Sequence, residues 1–244
     1  MKLGKPLGVQ LYTFHQEYPS DYVGTIERIA ALGLEGIEFC GGFELPADEL
    51  KALLDRLGLK PAGWHIDLNA FLNDYEATVA YHKTIGNHLV TIPAYSMDSE
   101  EDLERLISIV NELSPRLQAD GLTLGYHNHT HEFQRFGGRY GLDILAERCA
   151  DTLKLELDLY WVHQSGVDPL AYWRQHKQQT NLIHLKDGVG GDQFTALGAG
   201  LVDIPALVKE AADSAVEWMV IENDAPKPTA LDNVRESLQF LQTL

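Results

Sequence analysis

The chain has 244 residues, 45% of them hydrophobic and 23% charged, with 36 acidic against 19 basic side chains and a formal net charge of −17. That length and balance fit a globular protein with a single domain over residues 1–244, and they exclude fibrous, disordered and low-complexity classes. The acidity speaks against a nucleic-acid partner, because neutralising phosphates requires a basic surface.

No apolar run approaches the roughly 18 residues of a spanning helix, so no membrane partner is expected. The opening MKLGKPLGVQLYTF has neither a continuous apolar signal core nor a small-residue cleavage site, which makes the cytoplasm the expected location. Cys40 and Cys149 are the only cysteines and lack CxxC spacing; both are expected to be reduced, buried small hydrophobes.

Taken in chain order, aliphatic and β-branched runs predict strands beginning near residues 8, 35, 61, 88, 122, 153, 181 and 217, one about every 30 residues. Between them lie stretches with apolar residues at helical spacing: DYVGTIERIAALG, ADELKALLDRLG, SEEDLERLISIVNELSPRLQADG, DIPALVKEAADS and LDNVRESLQFLQTL. Gly33, Gly58 and Gly121 fall where helices should stop. Ser99, three residues before Asp102, and Asp203, two before Pro205, fall where helices should start. Eight βα repeats predict an α/β fold, the TIM (β/α)8 barrel, whose site lies at the strand C-termini. A doubly wound sheet would place a glycine-rich phosphate loop after the first strand, and LGVQLYTFHQEYPS contains none.

Four of the later runs end on residues that bind metals. LTLGYHNH reaches His127 and His129, LKLELD reaches Asp158, NLIH reaches His184 and MVIE reaches Glu222. In a parallel barrel these endings converge at one mouth, where imidazole and carboxylate together suit one divalent ion such as Mn²⁺, Mg²⁺ or Zn²⁺. Alternation puts Gly125, His127 and His129 on one face and Tyr126 and Asn128 on the other. His127, the deeper of the two histidines, is the favoured ligand and His129 the alternative; His129, His131 and Glu132 lie on the loop above, facing substrate. Further strand-end candidates are Gln10 and Tyr12 on the first strand, Glu38 on the second and His65 on the third, with Lys186 and Asp187 on the seventh. Lys186, two residues beyond His184, is placed to steady an oxyanion.

The strings GVQLYTF, YHNHTHEF, LELDLYWVHQSG, IHLKD, LGAG and IEND, in that order, resemble the sugar phosphate isomerase/epimerase superfamily of xylose-isomerase-like barrels over nearly the whole chain. The resemblance implies a metal-dependent sugar or keto-sugar isomerase or epimerase working through a metal-stabilised ene-diolate. It implies Asp158, His184 and Glu222 as ligands, with Glu222 as base. Where many relatives carry a first glutamate, this chain has His127, in a YHNHxxEF variant; the resemblance implies His127 as ligand and second base there, with Glu132 as the alternative ligand. Trp161 takes a position held by a substrate-contacting histidine in some relatives. A homodimer covering the barrel mouth is implied by analogy. The alternative within the same enolate chemistry is a lyase or dehydratase acting on a keto-sugar or inositol derivative; a non-catalytic carbohydrate-binding barrel ranks lower. An apurinic endonuclease is disfavoured, because Trp161 stands where another histidine is needed, Thr91-Ile-Pro93 lacks one, and no DxH follows His184. Substrate choice is expected in the loops HTHEFQRFGGRYG and DGVGGDQFTALGAG, where Arg135 or Arg139 would meet any phosphate.

Overall fold

The computed structural model describes residues 3–149 and 151–244. All eight strands form where the apolar runs predict: β1 (Leu7–Gln10), β2 (Gly36–Cys40), β3 (Lys60–His65), β4 (Leu89–Ile92), β5 (Thr123–His127), β6 (Lys154–Asp158), β7 (Thr180–Leu185) and β8 (Trp218–Ile221). They close into a barrel in the order β1-β8-β7-β6-β5-β4-β3-β2, every neighbour parallel. Closure leaves no free edge, and helices cover the outside, so the strands read as continuous apolar runs.

The helices are α1 (Tyr22–Ala30), α2 (Ala47–Leu57), α3 (Leu68–Asn73), α4 (Tyr75–Ile85), α5 (Glu100–Ala119), α6 (Gly141–Arg148), α7 (Leu159–Gln164), α8 (Pro169–His176), α9 (Ile204–Ala212) and α10 (Ala230–Leu241). Their ends follow the local chemistry. Ser99 accepts the Asp102 amide at 3.1 Å and donates to its carboxylate at 2.7 Å, a reciprocal cap on α5. Asp203 caps α9 through the Ala206 amide, with Pro205 in the first turn. Gly58 closes α2 at φ +69°, a left-handed conformation that a side chain disfavours.

Of the helices, α1, α2, α5, α9 and α10 fall in the stretches singled out from the sequence, whereas α3, α4, α6, α7 and α8 do not. The two long loops fold back as antiparallel hairpins, pairing Arg135–Phe136 with Arg139–Tyr140 and Asp187–Gly188 with Phe194–Thr195. No helix among the described residues is long and apolar enough to cross a membrane.

Inside the barrel, side chains stack in layers set by the two-residue strand period. Ala62, Leu182, Trp218 and Val220, with Leu89, form an apolar floor. Two residues further along their strands, Leu182 gives way to His184 and Val220 leads to Glu222, so the next layers up are polar. Glycine makes room for them: a Cβ on Gly63 would sit 3.0 Å from Glu38 Oε1, and one on Gly125 2.8 Å from Thr91 Oγ1. The larger apolar core lies between barrel and helices.

Candidate metal centre

The structure brings His127, Asp158, His184 and Glu222 together at the ends of β5, β6, β7 and just past β8, with ligand-type atoms within 4.8 Å of one another and all four residues buried. Local structure aims each one. Asp158 is the N-cap of α7: its Oδ1 accepts the Tyr160 and Trp161 amides at 2.9 and 3.2 Å, while its Oδ2 has no hydrogen-bond partner. Asn128, fully buried, exchanges two 3.1 Å hydrogen bonds with the Asp158 backbone and locks that strand end in place. His127 Nδ1 lies 3.4 Å from the Pro93 carbonyl; donation there leaves the Nε2 lone pair toward the cluster, again without a partner.

These two orphaned atoms, His127 Nε2 and Asp158 Oδ2, lie 3.7 Å apart. Buried polar atoms are rarely left unpaired. Two ligands of one tetrahedral ion with bonds near 2 Å would be spaced by about 3.3 Å. His184 Nδ1 is 2.8 Å from Glu222 Oε2 and 3.9 Å from Asp158 Oδ2, which completes a mixed imidazole and carboxylate donor set suited to a divalent ion.

Below this set lies a second cluster, Glu38, His65, Glu156 and His184. His184 Nε2 is 2.7 Å from Glu38 Oε2 and 3.0 Å from Glu156 Oε1, so its other nitrogen is the one turned up to the cluster. His65 is hydrogen-bonded to Glu156 through Nε2, and Thr91 donates to the other Glu156 oxygen at 2.7 Å. Carboxylates placed in this way orient a histidine that could hold a metal. Glu156 was missed in the sequence, although a glutamate two residues before Asp158 in a buried apolar strand is itself a signal.

Charge in this region is heavily biased. Burial raises the Glu38 carboxyl, aided by Glu156, whereas Glu156 is pulled well below the carboxylate range because His65 and His184 outweigh its burial. Burial opposes protonation of His65, yet Glu156 and Glu38 carry it up to about 9, and the surrounding carboxylates raise His184 in the same way. Burial also opposes ionisation of Glu222 and Asp158, but Lys186 and the histidines hold both below their ordinary range. Lys186 is 1% exposed; its Nζ lies 3.0 Å from Glu222 Oε2, 3.5 Å from Asp158 Oδ2 and 2.8 Å from Asp224 Oδ1, above the Trp161 ring at 4.9 Å. Asp224, also absent from the sequence reading, is pushed up to about 6 by burial and by Glu222.

A cavity of about 880 Å³ opens over the cluster, with His65, His127, His129, Lys186, Glu222 and Asp224 in its wall. Tyr12 lines it too. His129 faces it uncharged, since burial and the neighbouring His127 and Lys186 push its imidazole down to about 3.

Other expected site residues lie elsewhere. Gln10 is fully buried, its Oε1 bound to the Tyr12 amide, and Glu38 sits beneath His184, so neither lines the cavity. Glu132 is fully buried, accepting from Tyr126 Oη at 2.9 Å and the His129 amide at 2.8 Å, which braces the YHNH turn rather than reaching the cluster. Trp161 lies under Lys186, outside the cavity wall. Asp187 gathers the amides of Gly188, Gly198, Gly200 and Val202, organising its loop. Arg139 pairs with Glu147, and Arg135 binds the Gly138 carbonyl and Tyr140; both are exposed and neither lines the cavity. His131 Nε2 is held 3.0 Å from the Tyr95 carbonyl. Cys149 is buried as expected, but Cys40 is half-buried and lines the cavity, its thiol pushed up to about 12 by burial.

The sequence profile described as the xylose isomerase-like TIM barrel matches residues 26–244, and the chain belongs to that family. Among solved structures, it is similar to a sugar phosphate isomerase/epimerase from Parabacteroides distasonis, with 23% identity and TM-score 0.85 over 98% of this chain and 94% of that one. It is also similar to the IolI protein with a bound zinc atom, with 15% identity, TM-score 0.77 and coverage of 98% and 97%. The probable 3-DHS dehydratase AsbF from Bacillus anthracis gives 15% identity, TM-score 0.74 and coverage of 97% and 98%. No protein of curated function matches the chain.

Proposed function

We propose that this chain is a metal-dependent isomerase or epimerase of a sugar or keto-sugar, with one divalent ion held by His127, Asp158, His184 and Glu222. The observation that carries this reading is the pair of unpartnered buried atoms, His127 Nε2 and Asp158 Oδ2, at the floor of a cavity large enough for a carbohydrate. Family membership and the zinc atom in the similar IolI structure support it.

A divalent ion bound there supplies Lewis acidity toward a carbonyl and its neighbouring hydroxyl. Glu222, kept ionised by Lys186 and His184, takes the proton from the carbon beside that carbonyl. Lys186 steadies the negative charge that develops on oxygen. His129 offers an uncharged imidazole to a substrate hydroxyl, and Tyr12 and His65 complete the binding wall. Because β5 presents His127 rather than a carboxylate, Glu222 alone takes and returns the proton on one face, which is isomerisation; epimerisation requires a donor on the other face, a role open to His127 only with its Nε2 off the ion.

A lyase shares the first step and differs in losing a leaving group afterwards. The test is incubation of the Mn²⁺-loaded protein with ketoses and 3-keto-sugars in D₂O. Deuterium at the α-carbon without loss of mass is expected, and an unsaturated or cleaved product would instead assign a lyase. Glu222→Gln should slow exchange by about 10²–10⁴-fold. Absence of exchange with every carbonyl sugar defeats both readings.

A further inference from the structure

We infer that the substrate is an uncharged sugar carrying an apolar, ring-sized substituent, and not a sugar phosphate; the inference rests on the proposed function and names its substrate class. Two features of the cavity carry it, its charge and the division of its walls.

Lys186 is the one lysine or arginine in the cavity wall among the described residues, and three carboxylates already surround it: Glu222, Asp224 and Asp158. The His65 side chain is likewise taken up by its hydrogen bond to Glu156 beneath the cavity. Asp67 and Asp224 add negative charge to the wall itself. With the ion engaged by the sugar's carbonyl and hydroxyl, a phosphate dianion elsewhere in the cavity would meet carboxylates and no side-chain cation free of them, whereas phosphate sites provide free Arg, Lys or amide donors. Arg135 and Arg139, the loop arginines able to fill that role, are engaged by the Gly138 carbonyl and Glu147 and do not line the cavity.

The division of the walls supplies the positive half. The metal cluster comes from the ends of β5 to β8, one side of the mouth. The loops after β1, β3 and β4 on the other side, with α5, bring Tyr12, Leu72, Ile92, Pro93, Tyr95 and Ile109 to the same cavity. Tyr12, stacked on His15, is 45% exposed and Leu72 61%, so among the described residues a large part of each side chain stays uncovered. At about 880 Å³ the cavity approaches the upper end of the range of clefts that enclose drug-sized ligands, several times what one hexose fills. With the sugar's carbonyl and hydroxyls over the cluster, a substituent on it extends onto this apolar half, where burial of a ring favours binding.

The test is calorimetric titration of Mn²⁺-loaded protein with the 3-keto forms of glucose, galactose and mannose, each as the free sugar, the phenyl β-glycoside and the 6-phosphate. For the best-bound sugar, the phenyl glycoside should bind at least about tenfold more tightly than the free sugar, and the phosphate more weakly than either. Leu72→Asp, at an exposed position, should abolish the phenyl advantage and leave free-sugar affinity unchanged. A phosphate that binds as well as its parent sugar, or no detectable phenyl preference, overturns the inference. So does a variant that alters the sedimentation mass without altering selectivity, which would make the apolar half a contact with a second copy of the chain. Failure of the proposed function is read separately, as absence of solvent exchange with any carbonyl sugar.

Discussion

At the scale of single residues, the site is governed by who supports whom. Asp158 divides its two oxygens, one capping α7 and the other left toward the cluster, and His184 divides its two nitrogens between Glu222 above and Glu38 with Glu156 below. Glu156 therefore acts through His184 and contributes no atom to the cavity wall. Glu156→Gln keeps the size of the side chain and removes its charge. We expect it to weaken metal binding by about 10–100-fold, measured by chelator competition, with far-UV circular dichroism unchanged. His127, Asp158, His184 and Glu222 were legible in the sequence because each ends an apolar run. Glu38 and Glu156 were harder to place, since alternation gives the face of a strand but not the depth at which barrel tilt sets its side chains.

At the scale of elements, packing between strands and between helix and strand sets stability. Thr91 on β4 pairs with Gly125 on β5, and an added methyl at Gly125 would press on the hydroxyl that donates to Glu156. Gly125→Ala should cost about 1–3 kcal/mol in urea unfolding. On α4, His82 is fully buried among Phe43, Phe71 and Trp64, its Nδ1 accepting from Asn87 Nδ2 at 3.1 Å. Burial lowers its imidazole to about 4, so the folded protein holds it neutral. Because the folded value lies below the ordinary one near 6.5, its contribution is complete above pH 6.5 and is lost as pH falls toward 4, about 3 kcal/mol in all. Urea midpoints at pH 7.5 and 4.5 should therefore differ less for His82→Gln than for the parent chain.

For the whole molecule, the barrel collects carboxylates from distant parts of the chain into one buried region with too few fixed cations. A divalent ion that binds the folded site and not the unfolded chain stabilises the fold by mass action. Mn²⁺ at a hundredfold excess over its Kd should add about 2.7 kcal/mol, raising the melting temperature by roughly 5–10 °C, and chelation should reverse the rise. A melting temperature indifferent to Mn²⁺, Zn²⁺ and Mg²⁺ would contradict the assignment of a metal centre. The formal net charge of −17 spreads over the same molecule, and the cavity wall shares its sign through Asp67, Glu222 and Asp224.

Residue order by itself determined the barrel, because eight buried parallel strands must be written as apolar runs and each helix end needs its own cap, as Ser99, Asp203 and Gly58 provide. It also determined which strand ends carry ligand-type side chains. The tertiary structure decided what those side chains face. Glu132 turned to Tyr126, Trp161 slid beneath Lys186, Arg135 and Arg139 stayed outside, and Glu156 and Asp224 entered the network. Such outcomes depend on strand tilt, loop path and side-chain rotamer across segments far apart in the chain. Local periodicity does not encode these relations, and only barrel closure brings them into being.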